Sequence, residues 1–559
     1  MLTFVPFAIF QHPERHALLT ISAAAIGVHV IFKRYEPKEP LVHMALLVGS
    51  PAFLSFLLAP HNISATFLIF FASLAASIVL YRLSPLHPLA RYPGPLLHKI
   101  SALDFTRIAL RGRPYAYIKR LHEKYGDIIR IGPNEVSIRD ASAIPGMLGS
   151  TGFPKSKAYL ARAMWPPVSP LIATSGEEHA ARRKWWNRGF SSGALKDYEK
   201  TVAHYVSQLG GSLAEQEERV DLGTLFSYLT FDIVNDIAFG KGPNMLANGD
   251  TGGLWSLLQG TQCAARVFSN MPWVAMYARM LLALGMSCNF KLFRAYGIQR
   301  AKERVEQGSL YKDLFYYLNN EDGAEKQGRP LPHVINDGVL AILAGSDTTA
   351  NVLTNLFYFL LSNPVEYQRL QAEIDKYYPR GESAFDVKHH QSMPILNAAI
   401  NEALRLVPVL PGGSQRDAPS GGKVVGPYYL PGGTTAAIHN YSVNHDPRNF
   451  APYTSSFWPD RWLIASGDKA PVDAGIDEGA FVHNAYAFIP FSFGPANCVG
   501  KNLAMQEMRM TVCHLMQRFD IGFAPGFDSA SYEKNLREYF VMHRAELLVQ
   551  VIARDKGIM

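Results

Sequence analysis

Phe491-Ser-Phe-Gly-Pro-Ala-Asn-Cys-Val-Gly500 is the stretch from which the rest of the chain can be read. One cysteine, Cys498, sits on a short loop bounded by Gly494 and Gly500, and the run from Asn502 to Arg509 that follows opens a helix. Glycines permit a tight turn and close approach to a flat macrocycle. A helix N-terminus favours negative charge on sulfur. A lone thiolate placed in this way is suited to be an axial ligand of haem iron. Taken alone, Cys498 reads equally well as a reduced cysteine packed like a small hydrophobe.

Three further patterns shift the balance. Ala344-Gly-Ser-Asp347-Thr348-Thr349 lies within an apolar stretch from Val334 to Leu361 that has helical spacing. Small polar residues in mid-helix predict a kink or a ligand groove, and an acid beside a hydroxyl can pass protons into an apolar cavity. Glu402 and Arg405 stand one helical turn apart and can pair on one face. Pro459-Asp-Arg461-Trp462 is a proline-led turn carrying another cation.

In this order the four patterns resemble the cytochrome P450 monooxygenase family, from about Tyr92 onward. The resemblance implies a mainly α fold with a minor β-sheet, preceded by transmembrane helices. It implies haem b with Cys498 as the proximal iron ligand, cradled by Phe491, Gly494 and Gly500. Asp347 and Thr348 correspond to the family's proton-delivering acid and alcohol. Glu402, Arg405 and Arg461 correspond to a buried ion network with a structural role. O2 is the co-substrate, and electrons are expected from NADPH. No flavin or nicotinamide pattern is legible in the chain, so a separate NADPH-cytochrome P450 reductase is the expected partner, with cytochrome b5 as a further donor.

One position departs from the family pattern. Where an arginine normally meets a haem propionate, this chain has Ala496. His179 and Arg183, within Gly176-Glu-Glu-His-Ala-Ala-Arg-Arg183, and Arg416 are the candidates to replace it. Arg182 and Lys184 read as a solvated basic face. Phe493, where small residues are usual, is a milder departure.

By the same analogy Met164, Trp165, Leu343, Ala344, Val409, Leu410 and Phe540 line the substrate pocket. Their low charge predicts a lipophilic small-molecule guest, although each is also explained as core. The chain resembles fungal microsomal members that tailor secondary metabolites. A terpenoid is the expected scaffold, with polyketide, fatty acyl and aromatic substrates open. The reaction expected is hydroxylation or epoxidation. The rivals are a haem-thiolate isomerase or dehydratase, which would not need Asp347 and Thr348, and a haem-binding sensor without turnover. A cysteine hydrolase would need a histidine, for which only His483 and His514 are near Cys498 in sequence.

The first eighty residues have a different composition. Apolar segments from about Ala17 to Phe32, Leu41 to Ala59 and Ile63 to Tyr81 are each about long enough to span a bilayer. The first is short enough to lie in the interface instead. Lys33, Arg34 and Lys38 follow the first segment, Arg82 and Arg91 follow the third, and the Pro60-His61-Asn62 turn has no Lys or Arg. The positive-inside rule therefore predicts an endoplasmic reticulum anchor with the catalytic body in the cytosol. The expected division is an anchor over 1–83 with two or three transmembrane helices, a proline-rich hinge over 84–95 and a catalytic domain over 96–559.

Composition agrees with that placement. The 559 residues hold only four cysteines, without zinc-type spacing or a dense even framework. The net charge of +7 is spread along the chain, so nucleic-acid binding is not indicated. Modest basicity suits anionic membrane lipid and an acidic electron donor, with Lys501 and Arg509 as candidates for that docking face. Apolar spacing predicts helices over Tyr115–Tyr125, Glu177–Trp186, Phe226–Ala238, Ala265–Leu284, Leu292–Glu306, Val334–Leu361, Pro364–Tyr378 and Pro394–Leu406. Strands are predicted at Ile128–Ile131, Val136–Ile138 and within Gly421–Ile438.

Overall fold

The computed structural model describes residues 13–58, 62–162, 169–215, 219–379 and 381–554. Pro60, His61, Met164 and Trp165 lie outside the described residues.

Three N-terminal helices, Arg15–Tyr35, Pro40–Leu58 and Ile63–Leu83, are long and apolar enough to cross a membrane. The first extends beyond its apolar run because Lys33 and Arg34 continue it, with Lys33 reaching over the Tyr81 ring. It packs along the third through Ile21, Ala25 and Val28 against Phe70 and Leu74. Ser22 meets Ser73 at 3.0 Å and His29 meets Ser77 at 2.8 Å, so the few polar groups between these helices satisfy each other. Leu19, Phe53, Phe56 and Leu68 point outward instead, an arrangement that suits lipid rather than water.

The proline-rich segment after Leu83 is bonded to the body. Buried Arg130 donates to the carbonyl of Arg82 at 3.0 Å and to the His87 ring at 3.2 Å, and the Tyr92 hydroxyl donates to the carbonyl of Tyr429 at 2.5 Å. These contacts fix the direction in which the third helix leaves the body.

The body is helical with small sheets. A four-stranded sheet joins Ile128–Gly132, Glu135–Ile138, Thr435–Ile438 and Arg416–Asp417 in that spatial order, with Glu135–Ile138 and Thr435–Ile438 parallel. Phe519–Phe523, Leu548–Ala553 and Val220–Asp221 form a second sheet. The largest core surrounds the helix Leu331–Ser362, packed against Leu222–Phe239. Gly345 makes that contact close, since a Cβ there would stand 2.7 Å from Val234 Cγ2.

The predicted Val334–Leu361 helix is continuous from Leu331 to Ser362, through the Gly345-Ser-Asp-Thr-Thr run. Its hydroxyls bond back to carbonyls one turn earlier, Ser346 to Ile342 at 2.7 Å and Thr348 to Ala344 at 2.8 Å, which keeps the polar groups satisfied inside the helix. The predicted Ala265–Leu284 helix is two helices, Leu254–Asn270 and Val274–Ala283, because Pro272 has no N–H to continue the ladder. Ser192–Ala214 is a helix that the apolar spacing did not reveal, capped by the Ser191 side chain.

Candidate functional site

The cysteine loop is a short 3-10 turn, Gly494–Ala496, followed by the helix Lys501–Arg518. The Cys498 amide donates to the carbonyl of Phe491 at 2.9 Å, closing the loop. Gly494 has φ +72°, and a Cβ there would stand 2.1 Å from the carbonyl oxygen of Leu148, so the position admits only glycine. Gly500 is different: its φ is −81° and a Cβ would make ordinary contacts with Phe190 and Cys498, so its geometry does not demand glycine. Burial pushes the Cys498 thiol up, while the Gly500 amide, Arg183 and the Lys501 amide oppose it by favouring the thiolate. Its side chain is nevertheless accessible, so it faces a cavity inside the body rather than bulk water.

Across the core, the long helix has a similar opening. Ala344 is accessible although Ala341, Ile342, Ser346 and Asp347 around it are buried, and Thr348 is partly accessible. Asp347 accepts from Asn351 Nδ2 at 2.9 Å and from Gln262 Nε2 at 3.0 Å, and His543 closes the line on Gln262 at 2.5 Å. Leu343, Val409, Leu410 and Phe540 are each partly buried. The long helix and the helix after Cys498 touch where Thr349 bonds Glu507, whose carboxyl is pushed up to about 8 by burial.

His179, Arg183 and Arg416 come together, and Lys155, which sequence reasoning missed, joins them. Burial, then Lys155 and the neighbouring arginines, pull His179 down to about 4. Burial, Arg416, Arg183 and Arg182 pull Lys155 down to about 7. None of the four pairs with a carboxylate among the described residues, and Arg416 Nε is buried without a partner. Lys155 carries no sequence motif; an isolated bridge to Arg416 and bonds to Ser175 Oγ and the Leu171 carbonyl, at 2.9 and 3.3 Å, bring it here. Lys155, Arg183 and Arg416, three basic groups with no counter-ion beside a neutral His179 ring, fit a dianionic ligand such as the two propionates of haem. Arg183 also donates to the Asn497 carbonyl at 2.7 Å and to Asn497 Oδ1 at 2.9 Å. It thus braces the loop beside Ala496.

Two basic residues are not where the sequence suggested. Arg182 is buried rather than solvated, donating to Asp337 at 2.9 Å and to the carbonyl of Ser169 at 2.6 Å. The helix turns it inward, while Lys184 stays exposed. Arg509 donates to Asn397 at 2.8 Å and is tied into the body, which leaves Lys501 exposed beside the cysteine loop.

Glu402, Arg405 and Arg461 meet in a fully buried network. Arg405 donates to both Glu402 oxygens at 2.8 and 2.9 Å, and Arg461 stands 3.3 Å from Glu402. The Trp458 amide and the Trp462 indole add bonds at 3.1 and 3.0 Å. Burial would raise the Glu402 carboxyl, but Arg405 and Arg461 outweigh it and hold it below its usual range. His483 and His514 are engaged elsewhere, against Trp462 and Phe385.

Residues 91–551 match the family model described as Cytochrome P450. The chain belongs to the cytochrome P450 family. It is 33% identical to the "Cytochrome P450 monooxygenase FCK2" of Fusarium pseudograminearum, over 84% of this chain and 82% of that relative. It is 29% identical to the "Trichothecene C-15 hydroxylase" of Fusarium sporotrichioides, over 85% and 95%. It is also 29% identical to the "Tryprostatin B 6-hydroxylase" of Neosartorya fischeri, over 94% and 96%. This P450 is therefore a monooxygenase enzyme whose family implies haem with a cysteine thiolate, and O2. P450 monooxygenases generally draw on a redox partner and act on a small molecule. When bound, the haem supplies the oxygen activation and transfer. The three apolar N-terminal helices are compatible with a membrane anchor for this P450.

Proposed function

We propose that this protein inserts one oxygen atom from O2 into a lipophilic small molecule, by hydroxylation or epoxidation, in secondary metabolite biosynthesis, with a terpenoid as the expected scaffold. NADPH supplies the electrons through a separate reductase, with cytochrome b5 as an auxiliary donor and Lys501 on the docking face. Residues 1–83 anchor the protein in the endoplasmic reticulum, 84–95 set the tilt, and the catalytic body, 96–559, faces the cytosol.

Cys498 is the iron ligand in this reading, with Phe491, Gly494 and Gly500 forming its cradle. The backbone amides of Gly500 and Lys501 favour the charged sulfur. His179, Lys155, Arg183 and Arg416 hold the propionates. Asp347, oriented by Asn351 and Gln262, is the acid of the proton relay, and Thr348 presents its hydroxyl beside it. Leu343, Ala344, Val409, Leu410 and Phe540 exclude water from the reacting carbon. Glu402, Arg405 and Arg461 keep the haem-side core rigid.

The observation that carries this reading is the pairing of a cavity-facing cysteine, held by two amides, with a cation cluster that has no carboxylate. The test is the carbon monoxide difference spectrum of dithionite-reduced membranes bearing the protein or its Cys498→Ala variant. A strongly red-shifted Soret band that disappears in the variant is the expected result. Its absence in haem-loaded parent protein would overturn the assignment.

A further inference from the structure

A cavity of about 340 Å³ is lined by Phe268, Leu281, Leu282, Met286 and Phe290, with one charged side chain, Arg162, in its wall. This volume falls within the ~300–1,000 Å³ range of small-molecule sites. Arg162 ends the helix Lys157–Arg162. Its Nε donates to Ser269 Oγ at 2.5 Å and its Nη2 to Gln415 Oε1 at 2.5 Å. The guanidinium also lies 4.1 Å from the Phe540 ring centre and 4.7 Å from that of Tyr159. Every one of these partners is neutral.

Four of the buried arginines have carboxylates, whereas Arg130 is met by carbonyls and the His87 ring and Arg416 belongs to the cation group beside Cys498. Arg182 has Asp337, Arg304 has Asp313, and Arg405 and Arg461 share Glu402. Arg162 has no carboxylate within ion-pair distance, and its Nη1 is buried without a partner among the described residues. Gln415 cannot stand in for one: its own amide nitrogen is fixed on Glu135 at 2.8 Å, which keeps a neutral oxygen toward Arg162. Burial lowers the guanidinium to about 10, and Tyr159 and the more distant Glu135 offset only part of that. Burying a cation without a counter-ion is costly unless something else supplies the negative charge.

The neighbouring helix adds to the deficit. Arg266 Nε and Asn270 Nδ2, one turn apart on Leu254–Asn270, are also buried without partners, although the Arg266 charge is answered by Glu538 at 3.4 Å. All three unpartnered atoms are donors, so only an acceptor satisfies them. Phe540, which covers the guanidinium, has φ 140°, a conformation a non-glycine residue adopts at a cost and one that tends to cluster at ligand contacts.

We propose that this cavity takes a lipophilic molecule bearing a carboxylate, with the Arg162 guanidinium as its anchoring group. The unpartnered Nη1 amino group of Arg162, beside Asn270 Nδ2 and an Arg266 whose charge Glu538 already answers, suits a monoanion, whereas a phosphate dianion would call for more cations than the wall supplies. The inference goes beyond the monooxygenase reading, since none of Cys498, Leu343, Ala344, Val409 and Leu410 lines this cavity.

The test is calorimetric titration of the haem-loaded, full-length protein in lipid nanodiscs at pH 8. The probes are dodecanoic acid and abietic acid, each against its methyl ester, with the parent, Arg162→Gln and Arg162→Lys. The parent is expected to bind at least one acid about tenfold or more tighter than its ester. Arg162→Gln abolishes the preference, and Arg162→Lys keeps part of it, because an ammonium carries the charge without the planar fork. Equal binding of acid and ester by the parent, no binding of either acid, or an undiminished preference in Arg162→Gln would each overturn the proposal. The carbon monoxide band separates the two readings: its loss in the parent breaks the haem-thiolate assignment, whereas an intact band without acid preference breaks this inference alone. If Arg162→Gln fails to fold, the parent and Arg162→Lys decide the matter.

Discussion

Around Glu402, two arginines converge on one carboxylate and every remaining lone pair of that carboxylate meets an N–H. Around His179, Lys155, Arg183 and Arg416 converge with no carboxylate at all, and each depresses the proton affinity of its neighbours. Both groups are built from basic side chains held in the body of the protein, yet they answer different needs. The first is complete within the chain and so belongs to the fold. The second is incomplete within the chain, and an anion from outside must complete it. A buried charge without a counter-ion is a better pointer to a ligand than a buried charge that has one.

The sharpest way to break the comparison is Glu402→Ala. It strands two buried guanidiniums and is expected to cost about 3–5 kcal/mol of stability, read by denaturant unfolding of the nanodisc-held protein. A loss near zero would show that the network is not a structural unit. Arg416→Ala should behave in the opposite sense. It removes a repelling charge, so the haem-free protein keeps its stability, while haem retention falls about 10- to 100-fold through loss of a charge-assisted bond. Transfer of haem to a competing apoprotein measures this. Destabilisation of the haem-free form equal to that of Glu402→Ala would erase the distinction.

The pH dependence of the haem-free protein sharpens it further. His179 and Lys155 are bases held below their ordinary values, at about 4 and about 7. The unfolded chain therefore binds more protons than the folded one, between about pH 4 and 6.5 for His179 and between about 7 and 10.5 for Lys155. Stability from these groups rises with pH across those windows, and the burden is full below them. Lys155→Met should flatten the upper window of a melting-temperature series, and bound haem should do the same. The smallest effect expected is that of Arg183→Gln, which loses the two bonds to Asn497 on a half-exposed side chain. A decrease of about 1 kcal/mol in stability with the carbon monoxide band retained is the outcome to look for in thermal melts.

Much of the site was legible because its parts are local. Glu402 and Arg405 are one turn apart on a helix whose limits, Pro394–Leu406, follow from its apolar spacing. Gly494 is dictated by a positive φ and a close carbonyl. Where the sequence misled, a long-range contact intervened. Arg182 looked solvated beside Lys184 because nothing nearby announces Asp337, which comes 155 residues later. Gly345 read as part of a kink or ligand groove, and its close approach to Val234 is what the fold adds. Lys155 carried no signal, since its partners arrive from the 176–189 helix and from Arg416.

Family, helical class, the cysteine loop and the three apolar N-terminal segments are properties of the sequence itself, because short motifs and apolar periodicity act through neighbours in the chain. Only the tertiary structure decided which buried charges are paired and which are not. Charge compensation is settled by groups brought within a few ångströms from distant parts of the chain, and periodicity holds no information about them. Arg162 shows the difference most plainly: in the sequence it is one more basic residue beside an apolar loop. In the fold it is a cation in the wall of an apolar cavity, held by a serine, a glutamine and two aromatic rings, with no carboxylate among the described residues within ion-pair distance.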